Sequence, residues 1–284
     1  MGNEINAKAF FYEILDEIKN DKNINKEVRE LVKAKDFDLK KYFEGCSDTK
    51  IIIPILQKTN EYFIKNCEIH FEKTTIIPIE TEIYFVNDWI HDGMCHMNKL
   101  QKDNFGTFYF HRQKNSDNKI NISRGGVDVC ISPKNSNYYL SILIRSALIN
   151  GIAIEDNLIS GINRIFKKII GIEKQDNKEQ IEDKVEKIKE KEKIKEKECR
   201  IYYRKDTNKV DINNIHIQRR IVGSDYFKDM CNYKLNCLNL GKKDGKGEYE
   251  YLNYIIKTKQ TFYNVPDNIK RIKKDFEEQR KTMK

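Results

Sequence analysis

Long apolar runs are missing from this 284-residue sequence, so nothing in it predicts a membrane-spanning helix. The opening stretch, MGNEINAKAFFYEILDE, is acidic and lacks the layout of a signal peptide. Apolar residues make up 39% of the chain and charged residues 34%, which is typical of a soluble globular protein with a heavily charged surface. We therefore expect a cytoplasmic protein without a membrane partner.

Cysteine pairs at metal-binding or redox spacing are also missing. The seven cysteines include no CxxC pair, and several lie in apolar runs, as reduced core thiols do. Cys95 and His96 with His91 can be imagined in a metal site, but three ligands within six residues rarely close a tetrahedron alone. The sequence has no P-loop, no GxGxxG after a strand, no HExxH and no GxSxG. We predict neither a metal nor a cofactor.

Charge is present in excess and is unevenly distributed. The net charge is +9, yet residues 172–200 hold ten basic and ten acidic groups and contribute nothing to it. Residues 254–284 carry nine Lys or Arg against four Asp or Glu. A basic surface favours a polyanionic partner such as nucleic acid. A lysine-rich composition alone explains the same charge, so the excess permits nucleic-acid binding without demonstrating it.

The order of periodic segments predicts an α+β fold, a curved and mostly antiparallel β-sheet with N-terminal helices. Apolar residues recur at helical spacing through residues 5–70, including Ala9–Ile18, and the period changes to two from about residue 74. The predicted helices are 9–18, 26–34, 50–66 with Pro54 in its first turn, and 161–170, and the predicted strands are 76–86, 106–112, 126–132 and 139–147 with a hairpin at 113–123.

Four regions follow from this pattern. Residues 1–70 form a helical N-terminal region, and residues 71–171 form the core that carries the candidate site. Residues 172–199 are a charged low-complexity insertion, expected as a solvated helix or a disordered segment. Residues 200–284 complete the core, with strand-like stretches at 219–223 and 254–263, a turn at 241–247 and a basic helix at 266–284.

The segment Ile76–Phe85 combines an apolar face with a charged one. Side chains alternate across a strand, so Ile77, Ile79, Ile83 and Phe85 are expected on one face and Glu80, Glu82 and Tyr84 on the other. Two carboxylates behind a packed face are costly unless that face lines a wet site. The alternative is an edge strand whose polar face meets water.

Arg145 interrupts the otherwise apolar run Ile142–Ile144. A buried guanidinium needs an anionic partner, and the carboxylates of the Glu80–Tyr84 segment are the obvious candidates. We therefore predict a salt bridge between Arg145 and a carboxylate of this segment, Glu80 or Glu82. Its alternative interpretation is a structural salt bridge on a sheet edge.

Three segments, ETEIY (80–84), GTFYF (106–110) and LSILIRSA (140–147), resemble the 3-methyladenine (alkyladenine) DNA glycosylase family in order and spacing. The resemblance implies that family's fold and an N-glycosidase that releases a damaged or modified purine. It implies that Glu82 is the general base that activates water and that Arg145 is the fixed cation beside it. Tyr84, His96 and His111 would be pocket walls that stack on the flipped base, with His91 as the alternative to His96.

The chain departs from the family pattern in its hairpin. Gly125 occupies the place of the tyrosine that wedges into the DNA stack, and Ser132 occupies that of an asparagine that excludes guanine. Asp128 adds a carboxylate on the polar face of the same strand, and we count Asp128 and Ser132 among the substrate-binding candidates. The missing wedge favours an already extrahelical base, a single strand, RNA or a free nucleotide.

Nucleic acid is the expected partner, with DNA ahead of RNA or a free nucleotide. Four cations around the hairpin are candidates for phosphate contacts, although they can equally serve only to keep a loop soluble. These are Arg112, Lys114, Lys119 and Arg124. Two further hypotheses stay open: a binding module that kept the pocket and lost catalysis, and a structural or partner-binding protein that uses the helices of 1–70 and the charged segment.

Overall fold

The structure is a computed structural model, and it combines helices with a curled, antiparallel half-barrel sheet. It describes residues 3–102, 104–113, 116–150, 158–194, 199–204, 214–217, 230, 233–240, 251–252, 273–274, 276–278 and 281. Of the sequence predictions, Lys114, the strand-like stretches 219–223 and 254–263 and the turn 241–247 lie outside the described residues. The described part of the stretch 266–284 (273–274, 276–278 and 281) is helical.

Four helices occupy the N-terminal region, and each follows an Asn or Asp cap. They are α1 (Ala7–Asn20), α2 (Lys26–Lys33), α3 (Leu39–Gly45) and α4 (Thr49–Asn66). The side chains of Asn6, Asn25, Asp38 and Asp48 accept hydrogen bonds from the first-turn amides, which otherwise lack a partner. Pro54 lies in the second turn of α4 rather than in the first, so the predicted position of this proline was wrong.

Eleven strands lie in the described residues, and nine of them form one sheet. They are β1 (Cys67–Phe71), β2 (Thr74–Val86), β3 (Thr107–Phe110), β4 (Arg112–Gln113), β5 (Ser116–Ile120), β6 (Val127–Cys130), β7 (Tyr139–Ile149), β8 (Leu158–Ser160), β9 (Cys199–Tyr203), β10 (Asn214–Ile217) and β11 (Asn236–Asn239). The main path runs β10-β11-β2-β7-β6-β3, with β1 beside β2, β9 beside β1, and β8 beside β7. β4 and β5 pair separately as a hairpin. The four predicted strands are confirmed.

β2 and β7 are interior strands of this sheet. β2 pairs with β7 along one side and with β1 and then β11 along the other. β7 pairs with β6 and then β8 on its far side. The alternative in which β2 is an edge strand with a wet polar face is therefore wrong for the described sheet.

The principal core lies between the helices and one face of the sheet. Apolar residues of α1 and α4, such as Phe10 and Phe63, pack there with Ile83, Phe85 and Ile142. The residues between them in the strands must point to the opposite face. Glu82 and Leu143, cross-strand partners on β2 and β7, therefore lie on the face that turns away from the helices.

Two further helices follow the central strands, α5 (Ile162–Ile169) and α6 (Lys178–Ile194). α5 confirms the predicted helix at 161–170 and inserts Phe166 into the principal core. α6 occupies most of the charged low-complexity segment, and of its residues Val185 and Ile188 reach that core. This outcome matches the expected solvated helix rather than a disordered segment.

The fold also bears on two sequence predictions, which concern the cysteines and membrane-spanning helices. The six cysteines among the described residues are all buried and form no disulfide with one another, as predicted for reduced core thiols. No helix in the described part of the chain is long and apolar enough to cross a bilayer.

Candidate active site

The ladder between β2 and β7 is irregular on both strands at the centre of the site. Pro78 lies opposite Ala147 and Thr81 opposite Ile144, but between them only Glu80 and Ser146 are matched. Each strand therefore carries one extra residue, Ile79 on β2 and Arg145 on β7. A bulge of this kind places two consecutive side chains on one face and reverses the alternation beyond it.

This irregularity corrects the predicted faces of β2. Ile83 and Phe85 belong to the principal core, as expected. Ile79, with Ile77 packed beside it, instead joins a small apolar cluster on the opposite face, because the bulge shifts the phase of the alternation. Ile76 takes their place in the principal core.

A single cross-strand row joins the polar groups on this opposite face. Residues directly opposite each other in antiparallel strands share a face. Read across β11, β2, β7, β6 and β3, the row is Asn236, Glu82, Leu143, Asp128 and Tyr109. Glu82 and Asp128 are thus two strand spacings apart, about 10 Å between Cα atoms. The row brings together two predicted site residues that are 46 positions apart in sequence.

Arg145 binds both carboxylates of β2. Its Nη1 lies 2.6 Å from Glu82 Oε2, and its Nε lies 3.4 Å from Glu80 Oε1. Ser146 Oγ, the next residue on the bulged strand, donates to Glu80 Oε2 at 2.9 Å. The predicted salt bridge of Arg145 with a carboxylate of this segment is confirmed, and it includes both Glu82 and Glu80.

The electrostatics of this cluster follow from its burial. Glu82 is 1% exposed, and the Arg145 side chain is 16% exposed. Burial alone would lower the pKa of Arg145, but the charges of Glu82 and Glu80 outweigh burial and raise it. Arg145 therefore stays a cation and is the more accessible member of the cluster.

The second polar group on the face surrounds Asp128, which is fully buried. His111 Nε2 lies 2.8 Å from Asp128 Oδ1. Gln101 Nε2 and Ser141 Oγ both donate to Oδ2, at 2.8 and 3.0 Å. A buried carboxyl group needs hydrogen-bond partners, and these three side chains supply them.

Two neighbouring imidazoles, tilted by 49° to each other, and a phenol extend the Asp128 group towards the surface. The rings of His96 and His111 lie 4.4 Å apart between centroids, and His96 Nδ1 lies 2.9 Å from the Tyr109 hydroxyl. The His96 residue as a whole is exposed, yet partial desolvation of its ring lowers its pKa to about 4. The neighbouring His111 contributes to this lowering, and Asp128 opposes it by less. Burial raises the pKa of Tyr109, and so does the charge of Asp128.

Tyr84 and Leu143 lie between the two polar groups and separate them with apolar side chains. They belong to a small buried cluster with Val86 and Cys95, against which Met94, Tyr139 and Ile162 pack. The Tyr84 ring is therefore packed among apolar side chains at this position. Tyr84 and His111 lie on the same face as Glu82, while His91 is exposed at the surface.

Ser132 and Gly125 serve packing in this structure. Ser132 is buried, and its hydroxyl accepts a hydrogen bond from the Leu140 amide at 2.8 Å and lies within bonding distance of backbone carbonyls. A Cβ on Gly125 would lie 2.3 Å from Cδ1 of Phe166, so no side chain fits there. The position predicted for a wedge therefore carries neither a wedge nor the space for one.

The predicted phosphate-binding cations divide into buried and exposed ones. Arg112 is 7% exposed and lies over the Tyr109 ring, with its guanidinium carbon 5.8 Å from the centroid. Lys119 and Arg124 are exposed. Lys119 borders a cleft of about 400 Å³ between the hairpin and α6, which Glu182, Glu186 and Lys189 also line.

Sequence reasoning missed three polar residues of this face. Gln101 reaches Asp128 from a short 3-10 turn, Lys99–Gln101; its capping box with Asn98 marks the turn but not the contact with Asp128. Ser141 was embedded in an apolar strand, although its alternation with Leu143 places it on the site face. Asn236 lies opposite Glu82, and its Oδ1 is buried without a hydrogen-bond donor among the described residues.

Among the described residues, no group of three or more His, Cys, Asp or Glu side chains is arranged to hold a metal ion. Cys95 is buried, and its sulfur faces the Gln101 amide oxygen at 4.0 Å. Comparison of the chain with models of known protein families found no match, and neither did comparison with curated proteins.

Proposed function

We propose that this protein is an N-glycosidase that hydrolyses the bond between a purine base and its sugar, on a fold like that of the alkyladenine DNA glycosylases. The observation that carries the proposal is the buried pair of Glu82 and Arg145, held at 2.6 Å on the sheet face opposite the helices. A buried carboxylate paired with a guanidinium, on a face that carries further polar groups, is a candidate for a catalytic site. No cofactor or metal takes part in the proposed reaction.

Glu82 supplies the chemistry in this proposal. Cleavage of an N-glycosidic bond passes through an oxocarbenium-like sugar, so a nearby carboxylate stabilises the developing positive charge and takes a proton from the attacking water. Arg145 fixes the orientation of that carboxylate through its bond to Oε2, and the bulge at Arg145 brings the guanidinium within reach. Arg145 is thus the positioning partner of the proposed base.

The proposed substrate is a nucleic acid whose base is already outside a duplex stack. Gly125 under Phe166 leaves no wedge to fill the gap that a flipped base would leave. Unstacking a paired base costs a few kcal/mol, and single strands avoid most of that cost. Single-stranded DNA is the first choice, ahead of RNA or a free nucleotide, and exposed Lys119 and Arg124 are the proposed phosphate contacts. The proposed setting is the cytoplasm.

Base release measured by mass spectrometry tests the proposal. The substrates are single- and double-stranded DNA and RNA that carry alkylated, deaminated or ordinary purines. We expect release by the wild type and a loss of about 10²–10⁴-fold or more in Glu82→Gln, because the general base is gone. Glu80→Gln is the matched control, since Glu80 is equally buried on the same strand and binds the same guanidinium.

Three results separate the interpretations. Release that disappears in Glu82→Gln but persists in Glu80→Gln supports the proposal. Equal losses in both variants would make the pair a structural support for the sheet. Unchanged release together with a large loss of thermal stability in Glu82→Gln would also make the pair structural.

A second candidate function is a reader of bases that binds without cleaving. The near-complete burial of Glu82 and the missing wedge favour it. This candidate predicts binding to nucleic acid that weakens steeply with salt, with no base released from any substrate. Binding that persists in Glu82→Gln would further support this second candidate function.

A further inference from the structure

The loop 87–98, which follows β2, exposes two large apolar side chains. Among the described residues, the exposed large apolar side chains are Trp89 and Tyr12, each 67% exposed, and Met97, 46% exposed. Trp89 and Met97 both lie in loop 87–98. Trp89 is also the single tryptophan of the chain. Tryptophan is enriched among the residues that contribute most binding energy at interfaces, so this loop is a candidate binding surface.

Loop 87–98 is attached to the candidate site at its centre. Cys95 packs with Tyr84 in the apolar cluster that separates the two polar groups of the site face. His96, the next residue, belongs to the group around Asp128. The two exposed apolar side chains of the loop therefore flank, in sequence, the point at which it meets the site.

The backbone at Trp89 is held in place by the buried side chain of Asn87. Its Nδ2 donates to the backbone carbonyls of Phe43 and Cys46, at 2.9 and 2.8 Å. Its Oδ1 accepts from the amides of Trp89 and Ile90, at 2.9 and 2.6 Å. A side chain on a backbone that is already fixed loses less conformational entropy when it binds a ligand. Trp89 is thus presented to solvent on a preorganised turn.

The fold makes little use of the Trp89 indole. Trp89 belongs to none of the three apolar clusters that the described residues form. An exposed indole forgoes the burial of the about 150–250 Å² that an aromatic side chain contributes to a core or an interface. A flat ligand that covers the ring would recover that burial.

Trp89 lies too far from Glu82 to contact the base whose bond is cleaved. β2 continues from Glu82 to Val86, and each strand residue advances about 3.3 Å, so the five steps to Asn87 span about 16 Å. Trp89 follows within the turn in which the Asn87 amide donates to the Ile90 carbonyl. The indole would therefore contact a different nucleotide from the one at Glu82.

The charges of this region favour a base, rather than a phosphate, on the indole. Asp88 is exposed directly beside Trp89 and would repel a phosphate there. Cations follow at the other end of the loop, where Lys99 is exposed and Lys102 Nζ lies 5.8 Å from the centroid of the Tyr139 ring. The net charge of +9 favours a polyanionic strand as the ligand.

We propose that Trp89 stacks on an unpaired base of single-stranded nucleic acid, at a nucleotide that flanks the target, while Lys99 and Lys102 bind phosphates of the same strand. This inference rests on the nucleic-acid substrate of the proposed function. Stacking uses only the face of a base, so the contact tolerates any sequence. Bases in a duplex have both faces covered by their neighbours, so the contact selects single strands.

The intrinsic fluorescence of the protein tests the contact directly, because all indole emission comes from Trp89. The probe is an oligothymidine of about ten nucleotides, which contains no purine to release. An abasic oligonucleotide of the same length is the matched probe, with the same phosphates and no bases. We expect the oligothymidine to quench the emission to saturation and the abasic strand to leave it nearly unchanged. Equal quenching by both probes would overturn the stacking.

Substitution of Trp89 measures the strength of the contact. Trp89→Ala should weaken the binding of labelled oligothymidine, followed by fluorescence anisotropy, by about 5- to 150-fold. The slope of log K against log salt should not change, because no phosphate contact is lost. Trp89→Tyr should keep most of the affinity, and Tyr12→Ala, equally exposed but on α1, should bind like the wild type. Equal affinities of Trp89→Ala and the wild type would overturn the proposal.

Base release from purine oligonucleotides, measured in parallel, separates this inference from the N-glycosidase function. Quenching without release would overturn the N-glycosidase and leave Trp89 as the base contact of a non-cleaving reader. Release with unchanged emission would overturn the role of Trp89 and leave the N-glycosidase intact. Neither binding nor release would overturn both. Emission that changes with protein concentration alone would assign the indole to a contact between two copies of the chain and would overturn the stacking proposal.

Discussion

Removing the positive charge between Glu80 and Glu82 should destabilise the fold strongly and in a pH-dependent way. Arg145→Met keeps much of the side-chain volume but leaves two buried carboxylates facing each other, since Arg145 binds both. Removing one partner of a buried ion pair typically costs about 3–5 kcal/mol, because the remaining charge is uncompensated. That is a large share of a total stability of about 5–15 kcal/mol.

The stability of Arg145→Met should depend on pH in a definite direction. In Arg145→Met, burial and mutual repulsion should raise the pKa of one carboxyl in the folded state above its unfolded value of about 4.3. The folded variant then holds a proton that the unfolded chain lacks, so its stability increases as the pH falls towards 4.3. In the wild type Arg145 keeps its charge throughout, because the two carboxylates raise its pKa. The cost of the substitution should therefore shrink by up to about 1.4 kcal/mol per pH unit between pH 8 and pH 5.

Urea denaturation at pH 8 and pH 5 measures this cost. The control is the triple variant Glu80→Gln, Glu82→Gln and Arg145→Met, which has no charge in the cluster and should show a cost that does not change with pH. A cost for Arg145→Met below about 1 kcal/mol would place the cluster with ordinary surface salt bridges. A large cost that is equal at both pH values would show that the carboxylates stay ionised, and it would refute the argument from burial.

Two smaller predictions concern packing and acid stability. Gly125→Ala should lower the free energy of unfolding by about 1–3 kcal/mol in thermal or urea denaturation, because its Cβ would lie 2.3 Å from the buried Phe166 ring. The control is Gly45→Ala, which has nothing within 4 Å of its Cβ and should be neutral or slightly stabilising. Equal effects of the two substitutions would refute the packing argument. The pKa of His96 is lowered from 6.5 to about 4, so the unfolded chain binds more protons in that range and stability should fall as the pH drops through it. His96→Asn should reduce this loss of melting temperature, and an unchanged acid profile would contradict the assignment.

The elements that could be predicted are those in which one periodic pattern decides the structure. The strands at 76–86 and 139–147 were visible because apolar residues alternate over many positions, and both pair in the interior of the sheet. The bond between Glu82 and Arg145 followed from the same pattern, since a charged residue inside an apolar strand has few places to find a partner. The sequence alone therefore predicts that this pair is buried.

What the sequence could not supply is the phase of the alternation and the contacts made by loops. Pro78 is the residue of this stretch that hints at a bulge, but it does not show where the alternation changes, so the faces of Ile77 and Ile79 were wrongly predicted. Gln101 reaches Asp128 from a turn whose position depends on tertiary packing. Ser132 was assigned to substrate selection from a resemblance alone, whereas its hydroxyl binds the backbone of the neighbouring chain segment.

The bulge also bears on whether the charged cluster serves stability or function. It sets Ile79 beside Glu80 on β2 and Arg145 beside Ser146 on β7, and so crowds two carboxylates, a guanidinium and a hydroxyl onto one buried face. A regular pair of strands filled with apolar residues would be at least as stable, because buried ion pairs rarely exceed hydrophobic packing in net stability. Bulges are frequent beside active sites, where they redirect side chains. Since the cluster gains little stability for the fold at the cost of an irregular ladder in its two central strands, its presence supports the proposed catalytic role.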